Sequence, residues 1–181
     1  MSMIPVFIER LGVLLRQNSR THPAGLHPIH FEVMHYLNLC NRFSNTPQAI
    51  GEYLGITKGT LSQSLKVLES KGLVTRQPDA HDRRVWHFEL TTTGATLLAE
   101  HLQNTFQLLE GFEPAESVQI EQTLNLLLER LVSRQGGKPF GVCKTCKYHQ
   151  RKEERWCALL NLPLEQDASE KICREHTPAE I

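Results

Sequence analysis

Apolar positions follow two different periods along this chain, and the switches between them mark its organisation. Ile4, Phe7 or Ile8, Leu11 and Leu15 recur every three to four residues, predicting an amphipathic helix. "RTHPAGLHP" breaks it with two prolines and a glycine. A second helix is expected from about Ile29 to Cys40, with Phe31, Met34, and Leu37 or Leu39 facing inward. Thr46 before Pro47 supplies a capping hydroxyl followed by a residue whose fixed φ suits the first helical position. Gly55 ends that short helix, and Thr57 caps the next. There Leu61, Leu65 and Leu68 share one face, leaving Lys58, Thr60, Ser62, Gln63 and Lys66 to point outward.

After Gly72 the period becomes two. "LVTRQ" and "VWHFEL" flank the polar "PDAHDRR", and Trp86, Phe88 and Leu90 alternate with His87 and Glu89, predicting a hairpin with a charged tip. Two long helices follow, over about Thr92–Leu109 and Ala115–Ser133, the second with an apolar stripe at Ile120, Leu124, Leu127 and Leu131. "RQGGKP" reads as a linker, so the chain divides into residues 1–135 and an extension, 136–181. The expected fold class is mainly α with a small β-hairpin (α+β).

Composition narrows the class. With 40% hydrophobic and 22% charged residues the 181-residue chain is globular. No apolar run is long enough to span a bilayer, and Glu9 and Arg10 interrupt the N-terminal apolar stretch, so neither a membrane protein nor a signal peptide is expected. A cytoplasmic location follows, where clustered cysteines point to metal binding rather than disulfides. The formal net charge of zero conceals two basic segments. Residues 57–87 carry Lys58, Lys66, Lys71, Arg76, Arg83 and Arg84 against three acids, and residues 134–157 carry seven basic residues against two acids. No Ser/His/Asp order, phosphate-binding loop or HExxH is present, so no enzyme is expected.

Two short helices joined by a glycine turn, then a two-stranded wing, predict a winged helix-turn-helix. The major groove admits one helix with an apolar face for its own core and a polar face for bases and phosphates. A wing tip bearing Arg83 and Arg84 suits the adjacent minor groove. A winged helix used only for docking protein is the alternative. "GITKGTLSQSLKVLESKGLVTRQPDAHDRRVWHFELTTTGATLL" resembles the core of the MarR family of bacterial regulators, with Asp82-Arg83-Arg84 at the wing tip, then Leu90-Thr91 and Gly94. The resemblance in helix order covers about residues 1–135. It implies a transcription regulator, read as a repressor, that binds double-stranded DNA as a homodimer on a pseudo-palindromic operator. It also implies base or phosphate contacts from Thr57, Lys58, Thr60, Ser62, Gln63 and Lys66, and a wing arginine oriented by Asp82. Dimerisation through the first and last helices would use the stripes at Ile4, Phe7 and Leu11 and at Leu124, Leu127 and Leu131, which equally suit intrachain core. His30, His35 and His101 either line an effector pocket for a small molecule or are satisfied structural histidines.

The resemblance stops before the extension. Four of the five cysteines lie there as C-x2-C-x10-C-x15-C: Cys143, Cys146, Cys157 and Cys173. Four thiolates suit tetrahedral zinc, and they equally suit an iron–sulfur cluster, 4Fe-4S or 2Fe-2S. Unligated thiols are the third reading. Nearby lysines and arginines are expected to lower the thiol pKa values, and with four cysteines available His149 and His176 are expected at the surface. The extension is poor in apolar residues, so a metal would help it fold. The short linker places it against the last helix or the partner subunit, where metal state could act on DNA affinity. Cys40, at the end of an apolar helix, reads as a buried small residue.

Overall fold

A computed structural model describes residues 2–18, 25–80, 82–107, 111–134, 139–151 and 154–179. Most of the linker, from 135 to 138, and most of the break at 19–24 lie outside them. Helices α1 (Ile4–Asn18), α2 (Pro28–Leu39), α3 (Pro47–Leu54) and α4 (Lys58–Ser70) precede the wing strands β1 (Val74–Pro78) and β2 (Trp86–Leu90). Helices α5 (Thr92–Phe106) and α6 (Pro114–Arg134) follow.

Local chemistry sets these boundaries. The Thr46 hydroxyl accepts from the Ala49 N–H at 3.3 Å, and Pro47 opens α3. Gly55 closes it at φ 64°, a left-handed conformation that costs glycine little. Thr57 caps α4 through the Thr60 N–H at 3.2 Å. Thr91 caps α5 through the Gly94 N–H at 3.0 Å while its own hydroxyl donates to the Gly72 carbonyl at 2.7 Å.

The core lies around α2. Phe31, Val33, Met34, Tyr36 and Leu37 are buried on that helix, against Ile50, Leu61, Leu65 and Leu68 of α3 and α4 and Leu98 of α5. Burying each such side chain contributes roughly 1.5–3 kcal/mol. The wing is antiparallel, Val74 pairing Leu90 and Pro78 pairing Trp86. Only Phe88 of the three alternating residues is fully buried; Trp86 is exposed and carries the Arg76 guanidinium 4.6 Å over its ring. The stripes on α1 and α6 are not core: Ile4, Phe7 and Leu11, and Ile120, Leu124 and Leu131, all stand exposed.

The extension forms small sheets. Strand β3 (Gly141–Val142) pairs with β7 (Ile172–Cys173), and β4 (His149–Arg151), β5 (Arg155–Cys157) and β6 (Leu162–Pro163) form a three-stranded meander. Its own buried residues are few, among them Leu164, Ala168 and Ser169. It packs on the α2–α3 region of its own chain. The Asn41 N–H donates to the Ile172 carbonyl at 2.9 Å, and Cys40 bridges Ile172. Phe140 meets Tyr53 edge-on at 5.2 Å, and Arg42 pairs Glu165 at 3.1 Å.

Candidate nucleic-acid interface and thiol cluster

Helix α4 separates its two faces as its sequence predicts. Leu61, Ser64, Leu65 and Leu68 are buried, and Lys58, Thr60, Ser62, Gln63 and Lys66 are exposed together. Ser64, a polar residue on the inner face, is satisfied by donating to the Thr60 carbonyl at 3.0 Å. Thr57 is exposed, but its hydroxyl is engaged with Thr60 as the helix cap.

The wing tip is organised around two carboxylates. The Asp82 N–H donates to Asp79 Oδ1 at 2.9 Å, which tightens the turn. Asp82 Oδ1 then accepts from the Arg84 backbone N–H at 3.0 Å and from Arg84 Nε at 3.1 Å. Asp82 therefore orients Arg84, whose side chain is 91% exposed. Arg83 is exposed beside it; residue 81 lies outside the described residues. At the stem, Arg76 is held by Glu69 at 2.9 Å, so it braces β1 against α4.

The base of the wing is anchored by the α2–α3 loop. Its residues Asn41, Ser44 and Asn45 are polar yet buried. The Asn45 carbonyl accepts from the Phe88 N–H at 2.9 Å, and its side chain meets His87 Nδ1. His87 Nε2 reaches Asp79 at 3.0 Å, closing a path from the loop to the wing tip.

The histidines expected near an effector have structural partners. His30 Nδ1 accepts from the His27 N–H at 2.9 Å, and His101 stacks on Phe31 with ring centroids 3.7 Å apart. Burial holds His30 and His35 below the ordinary imidazole range. An open cleft of about 680 Å³ lies elsewhere, between the extension and Arg42, lined also by Arg151, Arg155 and Leu164.

In the extension, Cys143 and Cys146 bracket a short turn in which the Cys146 N–H donates to the Cys143 carbonyl at 3.0 Å. The Cys143 N–H donates to Lys171, Cys173 pairs with Gly141, and Cys157 pairs with His149 on the adjoining meander. The Thr177 N–H points to Cys146 Sγ at 3.4 Å. All four thiols are free. Burial pushes the Cys143 thiol up to about 12, aided by Cys173, Cys157 and Cys146 in that order, so the expected lowering by basic neighbours does not hold there. As placed, no group of three or more Cys, His, Asp or Glu among the described residues is close enough to hold a metal ion.

Two expectations about histidines change. His176 is buried, not superficial: its Nε2 meets the Thr145 hydroxyl at 2.9 Å, its ring lies over Gly141, and its Nδ1 has no partner among the described residues. His149 is half-buried and meets Ser169 at 3.2 Å. Cys40 is a buried small residue, as expected, with its thiol pushed up to about 12 by burial.

Comparison with known proteins bears on the helical part. Residues 24–85 match the model of the MarR family, whose members are transcription regulators and not enzymes. No curated protein matches the chain. Among solved structures, a mutant MarR from E. coli is similar at 23% identity and a TM-score of 0.55, over 71% of this chain and 97% of that one. The MepR–DNA complex of S. aureus gives the same four values. FabT of Streptococcus pneumoniae in complex with DNA gives 21% and 0.52, over 72% and 93%. These likenesses establish the winged-helix fold and leave more than a quarter of this chain without a counterpart. No described helix is long and apolar enough to cross a membrane.

Proposed function

We propose that the protein is a DNA-binding transcription regulator of the MarR type. The carrying observation is the joint exposure of Lys58, Thr60, Ser62, Gln63 and Lys66 on α4, beside a wing whose Arg84 is held outward by Asp82. One surface thus offers groove-reading side chains and phosphate-binding cations. The protein acts as a homodimer through α1 and α6. Their exposed stripes, with Phe7 60% and Leu124 46% accessible in the single chain, are apolar surface that a second copy would cover. It acts as a repressor on a pseudo-palindromic operator, with half-sites about one helical turn apart.

The four cysteines hold a metal centre, zinc or an iron–sulfur cluster, that senses metal or redox status. The donor set suits either, since thiolates are the ligands of both. The knuckle at Cys143 and Cys146 and the N–H aimed at Cys146 Sγ support it. A small-molecule effector remains a further partner of this class of regulator.

The test is binding to duplexes selected from random sequence, at several salt concentrations. Gln63→Ala should cost about 1–3 kcal/mol and relax preference at one base pair. Lys66→Ala should weaken all sequences alike and flatten the salt slope by about one unit. Salt-independent binding, or binding untouched by Arg83→Ala with Arg84→Ala, would mark a protein-docking module instead.

A further inference from the structure

The cleft between the extension and the α2–α3 loop is lined by three arginines. Arg151 ends β4 and Arg155 begins β5, and the two stand directly opposite each other in the antiparallel register. Opposed residues of such a pair project from one face with Cβ atoms roughly 4.5–5.5 Å apart, and like charges placed so are destabilising. Neither arginine takes part in an ion pair among the described residues, and the Glu170 carboxylate is taken by Lys144. Burial first, then the charges of Arg151 and Arg155, hold the neighbouring His149 below the ordinary imidazole range. From the loop comes Arg42, its guanidinium 4.9 Å over the Phe43 ring and bound once to Glu165 at 3.1 Å. With side chains 52% and 66% exposed, that pair is weakly held in water and readily gives up a partner to a new ligand. The apolar part of the lining is Pro163 and the buried Leu164. The Leu164 N–H donates to the Arg155 carbonyl at 2.8 Å, which fixes that part to β5.

We propose that this cleft binds a small organic phosphate monoester, its phosphate shared by Arg151, Arg155 and Arg42 and its organic body against Pro163 and Leu164. The charges match. With Arg42 offset by Glu165, Arg151 and Arg155 leave two positive charges uncompensated. A phosphate monoester carries about −1.5 to −2 at neutral pH and offers three acceptor oxygens. It removes the penalty of the opposed arginines by standing between them. A carboxylate brings one charge and two oxygens, too few for guanidinium donors from both the loop and the sheet. The size argues for more than a bare phosphate. A cleft of about 680 Å³ falls in the range of small-molecule sites, about 300–1,000 Å³. Glu154 also lines the cleft, and its carboxylate opposes the anion. All the lining except Arg42 comes from the extension, so the site forms where the extension packs on the loop. The inference goes beyond the DNA-binding reading and stands without it, because the ligand is read by groups outside α4 and the wing.

The full-length chain, without DNA, is titrated by calorimetry with phenyl phosphate as the probe, beside benzoate, inorganic phosphate and phenol. Phenyl phosphate should bind saturably, with benzoate and inorganic phosphate at least about tenfold weaker and phenol silent. Arg151→Gln combined with Arg155→Gln should weaken phenyl phosphate by at least about tenfold, and Glu154→Gln should tighten it about twofold to fivefold. The unliganded double variant should keep or exceed the wild-type urea midpoint, because the like-charge opposition is gone. A purely structural pair of arginines would lower that midpoint instead. In that event Glu154→Gln decides, since it leaves both arginines in place: tighter binding upholds the site and unchanged binding removes it. Absence of saturable binding by the wild type, or full binding by a folded double variant, overturns the proposal. Equal binding of benzoate overturns the choice of phosphate. Loss of affinity for duplexes of every sequence in the double variant, with no phenyl phosphate bound by the wild type, assigns the arginines to the DNA backbone and overturns the small-molecule site.

Discussion

Replacing Gly94 with alanine sets two effects of opposite sign against each other. Gly94 lies in the first turn of α5, and a Cβ there would come 2.1 Å from the Leu73 carbonyl oxygen and 3.0 Å from its carbon. The gap to a tolerable contact of 3.0 Å is about 0.9 Å. Neither side yields easily. Leu73 is buried, its carbonyl accepts from the Thr91 N–H at 3.1 Å, and Thr91 is held to Gly72 and to Gly94 itself. Helix propensity favours alanine by about 1 kcal/mol in a helix interior, and by less in a first turn. Overpacking opposes it with about 1–3 kcal/mol, and a stretched or broken Thr91–Leu73 bond adds about 0.5–1.5 kcal/mol. The clash wins, for a net loss of about 1–3 kcal/mol. Urea unfolding followed by circular dichroism should show a lower midpoint at an unchanged m-value, and Tm should fall by about 2–4 °C per kcal/mol for a chain of this size. A midpoint equal to or above the wild type would refute the reasoning, since propensity would then outweigh contact.

The other expectations concern the extension and acid. Single Cys→Ser changes at positions 143, 146, 157 and 173 should each lower metal content and make the extension more sensitive to protease, while Cys40→Ser should leave metal content unchanged; full occupancy in all four would dismiss the site. His30, His35, His149 and His176 are all held below the ordinary imidazole value of about 6.5, chiefly by burial. Below about pH 6.5 the unfolded chain therefore binds protons first, so stability is full above that pH and declines as pH falls. Urea midpoints measured from about pH 8 to pH 5 should drop on the acid side, and a flat or rising profile would contradict the burial of these imidazoles.

What could be read from the sequence is what local chemistry decides. Thr46, Pro47, Gly55 and Thr57 act within one helical turn, so the boundaries of α3 and α4 and the outward face of α4 were legible from spacing alone. The surroundings of α2 were less so. A helix packed by α3, α4, α5 and the wing buries Val33 and Tyr36 as well as Phe31, Met34 and Leu37, which blurs a single apolar stripe. Alternation put Trp86 inside the wing, but the strand lies near the sheet's open end and Arg76 covers the ring instead. The stripes on α1 and α6 could be read as apolar but not assigned, since periodicity distinguishes a face from its opposite and does not say what covers it.

The position of the extension was beyond the reach of spacing for a physical reason. "CNRFSN" looks like an ordinary polar connection, because polar residues between helices usually face water. Here Asn41, Ser44 and Asn45 are buried; the Asn41 N–H, the Ser44 hydroxyl and the Asn45 carbonyl are met by Ile172, Arg174 and Phe88, while Asn41 Nδ2 has no partner among the described residues. The bond between Ser44 and Arg174 spans 130 positions, and the pair Glu52–Arg174 spans 122. No local period records partners so far apart. The only local sign is a capped helix start at Thr46 that follows polar residues instead of an apolar N-terminal staple. Burying such a loop is unfavourable unless its hydrogen bonds are made. The segment that makes two of them is Ile172 to Arg174, so the extension is part of how the winged helix is held.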